Sequence, residues 1–227
     1  MPLVLSKFRH FQFSALCGRP VASESKHVAG GVAVIIQDWP WVVRIEIRNL
    51  GQFSTWCTGT LIEPTLVLSA AHCLDHVQTE DIRLVLGSDH VKKDNQYWRQ
   101  VRTIVNFEKH PKYDSQFGYF DVALITIQEV PLSQGINTIC LPQSAAEVGH
   151  DTISKDTFGY LVGWGSLSLR KPPSETLQLA YLRVFNKQYC DSKYRRSQTS
   201  ILPDLFKPNI FCAGYVVSLN FRPSRPI

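Results

Sequence analysis

Leu68-Ser69-Ala70-Ala71-His72-Cys73, read together with Phe120-Asp121-Val122-Ala123-Leu124, decides how the rest of the chain is understood. In the first stretch an imidazole stands among small residues at the end of an apolar run, with a cysteine directly after it. In the second, a lone carboxylate opens another apolar run. Imidazole is the side chain best matched to taking and returning a proton near neutrality. A carboxylate within reach can fix its tautomer and stabilise its cation. Taken singly, His72 reads as a hydrogen-bonded core histidine and Asp121 as a strand-edge carboxylate, so the surrounding pattern has to decide.

That pattern is β throughout. In Pro40-Trp41-Val42-Val43-Arg44-Ile45-Glu46-Ile47-Arg48, the residues Val43, Ile45 and Ile47 alternate with charged neighbours, which predicts a half-buried strand. Short apolar runs recur at 60–62, 65–68, 82–86, 101–107 and 122–127, separated by Gly, Pro, Asn and Asp. A second set begins at Gly159-Tyr160-Leu161-Val162-Gly163-Trp164-Gly165, continues through 177–185 and reaches Ile210-Phe211-Cys212-Ala213-Gly214-Tyr215. Helical periodicity is nearly missing, so the pattern points to an all-β sandwich or barrel. Residues 130–142 read as a connector carrying Cys140, and residues 1–27 as a leader and linker anchored at Cys17.

Bulk properties narrow the function classes. A chain of 227 residues with 44% hydrophobic content can bury a sizeable core in one domain or two joined lobes. The net charge of +5 is spread along the chain, and Lys193-Tyr194-Arg195-Arg196 reads as a solvated loop, so no nucleic-acid partner is expected. The six cysteines are widely spaced and contain no C-x-x-C pair, which favours disulfides and an oxidising compartment over a zinc site. No carboxylate and histidine cluster has ligand spacing, and the stretch after Gly87 carries Lys92 and Lys93, so neither a metal nor another cofactor is expected. No apolar run is long enough for a membrane span. Met1-Pro2-Leu3-Val4-Leu5 is too short for a signal peptide and is followed by Lys7, Arg9 and His10.

The order of short motifs resembles the chymotrypsin/trypsin family of serine proteases from residue 28 to 215. It runs Val28-Ala29-Gly30-Gly31, Pro40-Trp41, Cys57-Thr58-Gly59-Thr60-Leu61-Ile62 and Ala70-Ala71-His72-Cys73. It continues through His110-Pro111-Lys112-Tyr113, Asp121-Val122-Ala123-Leu124, Ile139-Cys140-Leu141-Pro142, Gly163-Trp164-Gly165 and Phe211-Cys212-Ala213-Gly214-Tyr215. The resemblance implies two antiparallel β-barrels with a catalytic cleft between them. The first barrel would be complete over about residues 28–130, and the second only about half present over about 145–215. It implies His72 as general base and Asp121 as the carboxylate that orients it. It also implies the pairings Cys57 with Cys73, Cys190 with Cys212, and Cys17 with Cys140. Closing the loop of about 15 residues before His72 contributes about 3 kcal/mol in the chain-entropy picture. Secretion, and polypeptide substrates or protease inhibitors as partners, are the corresponding expectations.

Several positions depart from the family pattern. His27 precedes Val28 where an activating cleavage would need Arg or Lys, and Phe120 stands where the family commonly has Asn. Most important, the family's Gly-Asp-Ser-Gly-Gly stretch is not in the sequence. Residues 216–227 read Val216-Val217-Ser218-Leu219-Asn220-Phe221-Arg222-Pro223-Ser224-Arg225-Pro226-Ile227. Ser224 follows Pro223, which has no N–H to offer an oxyanion. Neither Ser218 nor Ser224 therefore reads as a nucleophile. The expectation is a trypsin-like endopeptidase by family whose chain lacks the C-terminal part and is inactive. The alternatives are a pseudoprotease that binds substrates or inhibitors without cutting them, and a truncated product without function. A half-built second barrel has unpaired edges, so the region after about residue 145 is expected to be poorly ordered. Substrate preference is unreadable.

Overall fold

The structure is a computed structural model describing residues 17–18, 31–93, 96–142, 157–168, 171–186, 188–190, 192 and 212–214. Its strands are β1 (Val32–Ala33), β2 (Val42–Asn49), β3 (Gln52–Glu63), β4 (Leu66–Ser69) and β5 (Ile82–Leu86). They continue as β6 (Gln100–Lys109), β7 (Ala123–Ile127), β8 (Phe158–Gly163), β9 (Gln178–Phe185) and β10 (Cys212–Gly214). Strands β2, β3, β4, β7, β6 and β5 close into one barrel, in that order. Closure removes the edges that an open sheet would leave exposed. Val43, Ile45, Leu61, Val67, Leu84 and Ile125 fill the barrel and are fully buried.

The β2–β3 hairpin turns at Leu50-Gly51, both with positive φ (50° and 80°). That is the backbone a two-residue hairpin turn of the strand-matching hand requires. The following strand, β3, is much longer than the run 60–62 predicted, because Gln52–Gly59 pairs along nearly all of β2 without an apolar alternation of its own.

The barrel does not begin near residue 28 as expected. Val32 and Ala33 pair with Leu179 and Gln178 of β9, so β1 belongs to the second sheet. That sheet joins β1 and β10 to one side of β9 through different residues, with β8 paired to β9 as well, and among the described residues it does not close.

The expectation of poor order after about residue 145 fails for the described segments 157–168 and 171–186. They are held by a seam with the barrel. Trp164 is 1% exposed and packs with Ile36, Val42 and Leu177, and its Nε1 donates to the carbonyl of Asp89 (3.3 Å). Leu177 N donates to the same carbonyl (2.7 Å), and Val91 N donates to the carbonyl of Glu175 (2.8 Å). A buried indole with its N–H satisfied supplies a large apolar contact without a polar penalty. On β8, Phe158, Tyr160 and Leu161 are each close to half exposed.

Strand β2 also departs from its predicted pattern. Its first five residues are all buried, Arg44 and Glu46 included. Alternation assigned those charges to solvent, but their side of the strand is covered by the seam. The Arg44 guanidinium lies 5.3 Å from the centre of the Trp164 ring, and its Nη1 donates to the carbonyl of His90 (3.3 Å).

Candidate active site

Strand register explains why His72 and Asp121 meet although they are far apart in sequence. Strands β4 and β7 pair antiparallel with Ser69 opposite Ala123. Running on from Ser69 and back from Ala123 brings the chain to the same end of the barrel. There Ala71–Leu74 forms a 3-10 turn that carries the imidazole. Across from it, His110 N donates to the carbonyl of Val122 (2.9 Å) and fixes the approach to β7.

The contact between the two residues is two-pronged. His72 Nδ1 lies 2.6 Å from Asp121 Oδ2, and the backbone N–H of His72 donates to Asp121 Oδ1 (2.8 Å). Both carboxylate oxygens are thus engaged by one residue. An ionised carboxylate only accepts, so Nδ1 carries the proton and Nε2 presents its lone pair. The imidazole side chain is 39% exposed while that of Asp121 is 21% exposed, and the Cys73 sulfur lies 3.6 Å from Nε2.

Three further contacts hold the turn. Cys73 is bonded to Cys57 of β3. Trp56 Nε1 donates to the carbonyl of Cys73 (3.0 Å), and Ser69 Oγ donates to the carbonyl of Thr58 (3.2 Å). Just beyond, Asp75 accepts from Lys109 Nζ (2.5 Å) and from the Tyr113 hydroxyl (2.7 Å). The hydrogen bond from Lys109, helped by that from Tyr113, holds the Asp75 carboxyl below its ordinary range. Burial, and then the bond to Asp75, push the Tyr113 phenol up. Sequence reading missed this brace, although Tyr113 sits in the quoted His-Pro-Lys-Tyr motif.

The other two pairings are Cys17 with Cys140 and Cys190 with Cys212. Ser218, Ser224, the His27-Val28 junction and the Lys193 to Arg196 run lie outside the described residues.

Phe120 has a physical reason to be Asn elsewhere: its φ is 52°, a left-handed conformation that Asn tolerates and most side chains avoid. The cost, about 1–2 kcal/mol, is countered by stacking on the His110 ring at 4.8 Å with planes 7° apart. Such a stack contributes about 0.5–1.5 kcal/mol. Phe120→Asn, which gives up the stack but relieves the backbone, should unfold in urea within about 1 kcal/mol of the parent. Phe120→Ala keeps the strained backbone without the stack and should be less stable than Phe120→Asn. Equal or greater stability of the alanine variant would contradict this account.

Comparison with known proteins agrees with the geometry. The family model described as Trypsin matches residues 28–220. Limulus clotting factor C of Carcinoscorpius rotundicauda is 31% identical over 212 residues, covering 88% of this chain. Chymotrypsin-C of Bos taurus is 28% identical over 205 residues, covering 89% of this chain and 72% of its own length. Chymotrypsin-like elastase family member 1 of Bos taurus is 30% identical over 191 residues, covering 82% and 66%. The chain spans 20% of the length of the clotting factor.

Proposed function

Because this chain belongs to the trypsin family of serine proteases, we propose that His72 and Asp121 are the base and the orienting carboxylate of a peptide-hydrolysing site. We propose further that the 227 residues by themselves do not turn peptides over. The observation that carries the first part is the 2.6 Å contact between His72 Nδ1 and Asp121 Oδ2. In a complete site of this class, Nε2 takes the proton of an attacking hydroxyl and returns it to the leaving amine, while the carboxylate stabilises the imidazolium formed in between. Two contacts suit Asp121 to the orienting role. It accepts from the ring and from the backbone N–H of the same residue, so the ring cannot turn without giving up the first while the second keeps the carboxylate in position.

The second part rests on the sequence, which supplies neither the Gly-Asp-Ser-Gly-Gly stretch nor a glycine-bearing turn around Ser218 or Ser224. Without a hydroxyl and the backbone donors that surround it, the base has no proton to take. What such a cleft retains is the capacity to bind extended polypeptide, protease inhibitors included. The disulfide pairings support an oxidising, extracellular setting.

The test is hydrolysis of peptidyl chromogenic substrates bearing Arg, Lys, aromatic or small residues before the cleaved bond. The expected result is a rate equal to that of His72→Ala for every substrate. Turnover that disappears in His72→Ala would overturn the proposed inactivity while leaving the His72 assignment in place.

A further inference from the structure

We propose that the tip of the β2–β3 hairpin is a docking surface for a polypeptide partner that presents an acidic side chain next to an apolar one. The first observation is a conformational cost with no return inside the chain. Leu50 has φ of 50° and is 99% exposed. A two-residue turn of this kind favours Asn before Gly, and a bulky side chain at positive φ is an outlier. Phe120 shares this region of backbone but is compensated by its stack on His110. Leu50 gains no such burial. Backbone strain spent on a fully exposed apolar side chain points to a role outside the fold.

The second observation lies just below the turn. Arg48 stands opposite Phe53 across β2 and β3, and Arg83 stands opposite Glu46 across β2 and β5. Residues 46 and 48 share one face of β2, because side chains alternate along a strand. Both guanidiniums meet on one ring: that of Arg83 lies 4.1 Å, and that of Arg48 5.0 Å, from the centre of Phe53. Each is also tethered. Arg83 Nε donates to Glu46 Oε2 (2.7 Å), and Arg48 Nη2 donates to the carbonyl of Glu80 (3.2 Å). The described hydrogen bonds leave both Nη groups of Arg83, and Nε and Nη1 of Arg48, as donors. Glu80 engages Arg48 through its carbonyl, while its carboxylate accepts from the Thr79 hydroxyl (3.0 Å).

Planar donors held in place suit a carboxylate, because little side-chain freedom remains to be lost on binding. Leu50 supplies the apolar contact beside them. An acidic and apolar segment answers both observations at once.

Strand register gives the surface its place. β3 runs back from Thr60, opposite Leu68, to Cys57, which is bonded to Cys73 beside His72. The further step to Phe53, at about 3.4 Å per residue, covers about 14 Å. The surface is therefore on the same end of the barrel as His72 but separate from it. Docking there needs no proton transfer, so it goes beyond the proposed hydrolytic site.

The experiment selects phage-displayed random peptides on the immobilised 227-residue chain. Enriched peptides are then titrated by fluorescence anisotropy against the parent, Arg48→Gln, Leu50→Asn and His72→Ala. Expected are peptides in which Asp or Glu neighbours Leu, Ile or Phe, with affinity that falls as salt is raised. Binding should be about tenfold weaker in Arg48→Gln and in Leu50→Asn, and unchanged in His72→Ala. Leu50→Asn should also melt above the parent, because it relieves the turn, so its lost binding cannot come from unfolding. The proposal is overturned if no acidic and apolar peptide is enriched, if either hairpin variant binds as the parent does, or if His72→Ala abolishes binding. Melting of Leu50→Asn below the parent would overturn it too, since Leu50 would then be serving the fold. So would a heparin octasaccharide that binds more tightly than every selected peptide, which would assign the arginines to a sulfated glycan.

Discussion

Replacing Glu46 by alanine is expected to lower the free energy of unfolding by about 3–5 kcal/mol, measured as a shift in the urea midpoint. Glu46 is 3% exposed, and its two oxygens accept from Arg44 Nε (2.8 Å) and Arg83 Nε (2.7 Å). The Arg44 side chain is wholly buried, and among the described residues its Nη2 has no hydrogen-bond partner. Burial already lowers the Arg44 pKa against the opposing pull of Glu46. Without Glu46, a guanidinium in a closed environment loses its only described carboxylate neighbour. Since a domain is typically stable by about 5–15 kcal/mol, this is a large fraction of the total. Arg83, with about a third of its side chain exposed, can turn to water. The double replacement Arg44→Met/Glu46→Leu removes the buried charges together and should cost far less than Glu46→Ala, because paired removal leaves no orphan. Trp164 fluorescence should report the single replacement, since Arg44 lies against that ring. A Glu46→Ala midpoint within about 1 kcal/mol of the parent would contradict the account of the seam.

The second large effect is expected from Gly87→Ala. Gly87 has φ of 69°, and a Cβ there would lie 2.2 Å from the carbonyl oxygen of Trp98 and 3.0 Å from the Ile136 side chain. Backbone cannot move aside as a flexible side chain can. The left-handed conformation costs about 1–2 kcal/mol for a residue with a Cβ, and forced overpacking adds about 1–3 kcal/mol. Gly51→Ala is the control: its φ is 80° but nothing lies within 4 Å of its Cβ position, so only the conformational cost applies. Thermal unfolding should rank parent, then Gly51→Ala, then Gly87→Ala. The gap between the two variants measures the clash. Gly87 leads directly into Ser88-Asp89-His90, whose carbonyls receive Trp164, Leu177 and Arg44. Damage there should therefore also loosen the second sheet from the barrel. Equal unfolding temperatures for the two variants would contradict the argument.

How much of this was legible in the sequence varies with the kind of interaction. The order of motifs around His72, Asp121 and the cysteines was legible because each motif is local and rigid in composition, and the strands 82–86 and 123–127 were legible as apolar runs. The first half of β3 was not, because Gln52 to Gly59 becomes a strand through pairing with β2 rather than through its own pattern. Nor was the burial of Arg44 and Glu46: alternation tells one face of a strand from the other but not whether the second face is later covered. The covering residue, Trp164, lies far away in sequence. The strain at Phe120 shows only as a dihedral angle, although its replacement of the family's Asn was visible.

The central claim is that the chain holds the base and its orienting carboxylate without a nucleophile. It is tested most directly by exposing the folded 227-residue protein to a fluorophosphonate and recording its intact mass. Losing the serine alone removes on the order of 10⁶ in turnover in sites of this class, so a contaminating or residual activity cannot mimic stoichiometric labelling. The account predicts an unchanged mass under conditions in which a complete trypsin-type protease is fully modified. A stoichiometric adduct at Ser218 or Ser224 that is lost in His72→Ala would contradict it.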